Sequence, residues 1–109
     1  MKDLPAGEKI KNAEARIVSF GAIAMDLVFR KLCIEGNQYP LSPKEFMIMY
    51  MLLERKGALV RRAELCKAIG TPVDGTALEN HIHRLRKKLD KHGSLLVSKR
   101  SYGYRIALM

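Results

Sequence analysis

From residue 42 to residue 89 the apolar side chains recur mostly at helical spacing. On either side they fall in short runs broken by turn residues. Before residue 42 the runs cover residues 16–20, 22–28, 30–35 and 38–41, and Glu35-Gly36-Asn37-Gln38 supplies a turn between the last two. This predicts a small antiparallel sheet. Ser42-Pro43-Lys44-Glu45 then opens a helix: Ser42 can cap it, Glu45 can reach back to the Ser42 amide, and Pro43 sits where no N–H is needed. Phe46, Met49, Tyr50 and Leu53 recur along one face, and Ile48, Met51 and Leu52 make the helix apolar almost all round, so it belongs in the core. Gly57 is its expected stop. Residues 58–60 read as an extended link and 62–69 as a second, shorter helix with Leu65 and Ile69 inward, broken by Gly70, Pro72 and Gly75.

A third helix is expected from Thr76 to Gly93. Thr76-Ala77-Leu78-Glu79 reads as a second capping box, and Leu78, Ile82, Leu85 and Leu89 form one apolar stripe. Glu79, Asn80, His83, Arg84, Lys87 and Lys91 fall on or near the other side. Residues 95–99 and 104–108 read as paired strands around Arg100-Ser101-Tyr102-Gly103. The polar stretch 1–15, with Pro5 and Gly7, reads as a flexible lead, leaving 16–109 as one folded domain.

Charge changes this picture. The 109 residues carry a formal +9, yet the first eighty are nearly balanced, with twelve basic and ten acidic side chains. From His81 onward there are eight Lys or Arg and one acid, Asp90. Basic charge gathered on a terminal helix and hairpin is the footprint of a polyanion-binding surface. A hydrophobic content of 48% excludes a merely disordered basic tail. No stretch is long and apolar enough to suggest a membrane span, and no signal-peptide core follows Met1, so a cytoplasmic setting is expected, with the chain on the nucleoid when bound. Cys33 and Cys66 form no paired motif and read as small buried hydrophobes. Two histidines two residues apart do not share a helix face, so His81 and His83 make a poor metal pair. There is no phosphate loop, zinc spacing, activated nucleophile or paired-carboxylate motif, so neither an enzyme nor a cofactor is expected.

A short helix, a turn and a longer basic helix make a helix-turn-helix, whose second helix fits the major groove of double-stranded DNA. Arg84 suits guanine and Asn80 suits adenine, while Arg86, Lys87 and Lys88 can neutralise phosphates. An Arg at the tip of a following hairpin, with Lys99 and Tyr102 beside it, is placed for a narrow minor groove.

At these residues the chain resembles the winged-helix effector domain of the OmpR/PhoB family of bacterial response regulators. Four stretches carry the likeness: LSPKEFMIMYMLLERKG (41–57), VRRAEL (60–65), HIHRLRKKL (81–89) and VSKRSYGYRI (97–106), and the similarity spans residues 17–108. It implies an α+β winged helix-turn-helix: an N-terminal antiparallel sheet, a three-helix core and a C-terminal β-hairpin wing. By resemblance, Arg84 reads bases, His83 and Asn80 are neighbouring groove-facing positions, and His81 and Arg86 contact the backbone. Arg62 matches a phosphate-contacting Arg at the start of the second helix, Arg100 the wing Arg of the minor groove, and Tyr104 a structural position. Thr76 stands where the family usually has an Arg, and Gly70 where a Trp is frequent. The loop 70–75, which in the family often touches RNA polymerase, is short here. The resemblance further implies a dimer on tandem half-sites. The other reading of the same fold is a protein-interaction module for RNA polymerase or a partner regulator.

Overall fold

Alternation of apolar and polar side chains gives the first sheet one buried face. The computed structural model describes residues 16–100 and 102–107; the expected lead over 1–15 lies outside the described residues. Strands β1 (Ile17–Phe20), β2 (Ile23–Asp26), β3 (Lys31–Ile34) and β4 (Asn37–Tyr39) form an antiparallel sheet in chain order. Ile23 faces Ile34 and Met25 faces Leu32 across the β2–β3 ladder, and all four are buried, so the inward row is a set of cross-strand pairs. Between β3 and β4 the chain turns through Glu35 and Gly36, both at positive φ, the geometry a two-residue hairpin requires.

Helix α1 (Pro43–Glu54) begins as its sequence demands. The Glu45 amide donates to Ser42 Oγ at 3.2 Å, and the Ser42 amide donates to Glu45 Oε1 at 2.9 Å. Phe46, Ile48, Met49, Leu52 and Leu53 are buried, with Met47, Tyr50 and Met51 packed against the same core. Helix α2 (Arg62–Ile69) closes on Gly70 in the left-handed region. Helix α3 (Ala77–Leu89) buries the expected stripe of Leu78, Ile82, Leu85 and Leu89. After a 3₁₀ segment (Asp90–Leu95) the chain forms β6 (Leu96–Lys99) and β7 (Gly103–Ile106).

Three details differ from expectation. The link before α2 is a strand, β5 (Val60–Arg61), so the wing is a three-stranded sheet in the order β5-β7-β6. Gly103 permits that pairing: a Cβ there would lie 2.0 Å from the Val60 carbonyl oxygen. Second, α3 stops at Leu89, because Asp90 adopts φ 54° and the chain tightens into 3₁₀ geometry. Gly93 is buried against the last turn of α3, where a Cβ would meet the Arg86 carbonyl oxygen at 2.6 Å. Third, Thr76 precedes α3 but makes no capping box: its backbone, at φ −116° and ψ 8°, lies outside the extended cap geometry and its side chain accepts no bond, and the Glu79 carboxylate is held by Arg62 instead of reaching back.

Cys66 is buried and Cys33 half-buried, and both are free thiols. Among the described residues no helix is long and apolar enough to cross a membrane, and no cluster of His, Cys, Asp or Glu could hold a metal ion.

Candidate nucleic-acid interface

With the stripe of α3 buried, the opposite side of the helix is fixed outward. Asn80, His83, Arg84 and Lys87 are all exposed there. The flanks of α3 are tied to the rest of the domain, and three cations expected at DNA make those ties. Arg62 of α2 donates from Nε to Glu79 Oε2 at 2.5 Å and from Nη2 to Glu79 Oε1 at 2.9 Å. The same guanidinium donates to the Gly75 carbonyl at 2.7 Å and to the Val73 carbonyl, so it braces α2, the following loop and the head of α3 together. Arg86 donates to the Leu96 carbonyl at 2.8 Å and to Ser98 Oγ at 2.8 Å, joining α3 to β6. Lys88 lies 2.6 Å from Glu45 Oε1, joining α3 to the first turn of α1.

These ties also set the local electrostatics. The Arg62 hydrogen bond holds the Glu79 carboxyl below the usual carboxylate range, and that bond raises the Arg62 pKa. Burial pushes the Glu45 carboxyl up, but hydrogen bonds from Lys88 and the Ser42 amide, with the Lys88 charge, outweigh it and leave the pKa lowered. The acid on each flank is therefore ionised and spent on a nearby cation, not facing outward to repel a phosphate.

His81 sits at the edge of the outward face, 3.4 Å from the Arg84 guanidinium. Burial, followed by the charges of Arg84 and Lys44, lowers its pKa, which favours the neutral ring. Thr76 is exposed at the head of α3.

The wing sits beside α3. Lys99 and Arg100 are exposed, and Tyr102 is 70% exposed. The turn is shaped by the Tyr102 amide donating to the Lys99 carbonyl at 2.8 Å, and it is pinned to α2 by the Arg62 amide donating to the Tyr102 carbonyl at 2.8 Å. Tyr104 is buried with its hydroxyl 3.5 Å from Glu79, in the packing role expected of it.

One polar residue escaped the sequence reading. His92, 3% exposed, lies between the Tyr39 hydroxyl (2.8 Å from Nδ1) and Glu35 Oε1 (3.1 Å from Nε2). It ties the far end of α3 to the first sheet. Its only sequence signal is a histidine beside the glycine expected to end the helix.

A family model described as "Transcriptional regulatory protein, C terminal" matches residues 36–106. The chain belongs to this family. The swarming motility regulation protein RssB of Serratia marcescens is 33% identical over 89 residues, a match covering 79% of this chain and 40% of that protein. The RstA DNA-binding domain of Klebsiella pneumoniae, solved in complex with the RstA box, superposes with a TM-score of 0.73 at 30% identity. That match covers 84% of this chain and 97% of that one. DrrB of Thermotoga maritima, described as an OmpR/PhoB homolog, shares the fold with a TM-score of 0.71 at 24% identity, covering 84% of this chain and 44% of that one. The chain spans about two fifths of the length of the curated relatives it matches. It is a winged-helix domain of the OmpR/PhoB type, a class of transcription regulator and not an enzyme.

Proposed function

We propose that this winged-helix domain binds double-stranded DNA sequence-specifically to regulate transcription, with α3 in the major groove and the wing reaching the adjacent minor groove. The supporting observation is the outward face of α3. Asn80, His83, Arg84 and Lys87 stand exposed together while the opposite stripe and both flanks are held by the domain. A helix anchored on three sides offers its fourth in fixed orientation, as base reading needs.

Arg84 and Asn80 carry the base-edge contacts, with His83 beside them. Lys87, Lys99, His81 and Thr76 contact the backbone, and Arg100, next to Tyr102, enters the minor groove. Arg62, Arg86 and Lys88 act mainly by holding α3 at its angle. Two copies occupy half-sites repeated about one helical turn apart.

Fluorescence anisotropy against a duplex enriched by in vitro selection and against random duplex, over a salt series, tests this. Steep salt dependence, with a preference for the selected duplex that persists at physiological salt, is expected. Equal and weak binding to both duplexes would leave the fold as a protein-interaction module.

A further inference from the structure

The arginines and lysines around α3 are held in different ways. Arg62, Arg86 and Lys88 are fixed by carboxylate, carbonyl or hydroxyl oxygens, which accept at any pH near neutrality. Arg84 is exposed, and among the described residues it has no carboxylate partner. The side chain within hydrogen-bond reach of it is His81, one turn back on the same helix, with Nδ1 3.4 Å from Arg84 Nη2.

That contact has only one chemical sense. A guanidinium carries donors and no acceptor, so Nδ1 of His81 must accept, and the ring is neutral with its proton on Nε2. An Nε2–H suits a phosphate oxygen, the backbone contact proposed above for this residue. A second proton can go only to Nδ1. It would remove the acceptor and set two cations 3.4 Å apart. The surroundings keep that proton off near neutrality. Burial is the largest influence, followed by the charges of Arg84 and of Lys44 in the first turn of α1. Glu45 of α1 faces the ring and opposes them, but its carboxylate is already paired with Lys88.

We infer that His81 is a positioning residue for Arg84: the neutral ring holds the guanidinium for base reading, and a proton on Nδ1 releases it, so acidification trades sequence preference for general DNA affinity. The two effects have opposite signs. Loss of the acceptor frees the Arg84 side chain and lowers discrimination between sequences. The added charge beside the phosphates strengthens binding to every sequence and steepens the salt dependence. The inference rests on the DNA-binding reading above and adds to it a dependence on pH.

Two measurements test it. The first needs no DNA: the His81 ring protons are titrated by NMR in the unaltered chain and in Arg84→Ala. Removing the neighbouring cation should move the midpoint upward. An unchanged midpoint would overturn the pairing and the inference with it. The second is anisotropy on selected and random duplex from about pH 8 to about pH 5.5, where a histidine changes charge. The ratio of the two affinities should fall roughly fivefold on acidification, while affinity for random duplex rises. In His81→Gln the ratio should no longer vary with pH. His81→Lys, a permanent cation with no acceptor, should show the low ratio already at about pH 8. A ratio that stays constant in the unaltered chain, or that falls equally in His81→Gln, would overturn the inference. No preference for the selected duplex at any pH would instead overturn the DNA-binding reading, and the inference with it.

Discussion

Replacing Arg62 by Ala separates a brace from a phosphate contact. The guanidinium makes two hydrogen bonds to Glu79 and donates to the carbonyls of Val73 and Gly75, and its side chain is 21% exposed against 42% for Glu79. A fully exposed pair would contribute less than about 1 kcal/mol, while hydrogen bonds to charged groups in partly buried sites contribute about 1.5–3 kcal/mol each. Discounting for the exposure of Glu79, and for water reaching the loop carbonyls, gives about 2 kcal/mol lost. For a domain of this size that lowers Tm by roughly 10 °C. Differential scanning fluorimetry reads the shift, and the salt slope of DNA binding, taken well below the new Tm, reads the charge. A brace lowers Tm and leaves the slope nearly unchanged; an unchanged Tm with a slope smaller by about one phosphate would refute the reasoning.

Other consequences follow from the same geometry. Gly103→Ala must displace the Val60 carbonyl from β7, so it should cost about 3 kcal/mol and melt the wing first, seen as lost amide protection over β5 and β7. Glu45 and Glu79 have depressed pKa values, so their contribution to stability is present at neutral pH and is lost as pH falls below about 4 through their folded pKa values. Glu45→Gln should therefore melt lower than the unaltered chain at pH 7, with the gap closing in strong acid; a pH-independent gap would contradict this. Lys87→Ala should weaken binding to all sequences alike and reduce the salt slope by about one, measurable by anisotropy on selected and random duplex.

The fold was legible wherever a local signal decided the structure. Short apolar runs broken by turn residues marked the strands of the first sheet, the Ser42 and Glu45 capping box opened α1, and the Leu78, Ile82, Leu85 and Leu89 stripe set which side of α3 is buried. The signal ran out where a distant partner decided. β5 is two residues long and is a strand only because β7 lies beside it. Glu79 reads locally as half of a capping box, but Arg62, far away along the chain, takes its carboxylate. The candidate site shows the same division. Sequence placed Asn80, His83, Arg84 and Lys87 on one face, but a count of basic residues could not reveal that Arg86 and Lys88 are engaged with Leu96 and Glu45. Their positions on the flanks of the helix, beside the apolar stripe, are the one local hint that they serve the fold.

The central claim is that the outward face of α3 and the wing together read DNA sequence. The most direct measurement is the ratio of affinities for selected and random duplex at physiological salt, for the unaltered chain and for Arg84→Ala with Arg100→Ala. Both side chains are exposed, so the double variant should keep its Tm. The account predicts that its ratio collapses toward one, with about 1–3 kcal/mol of discrimination lost at Arg84 alone. A folded double variant that kept the full preference for the selected duplex would contradict the account.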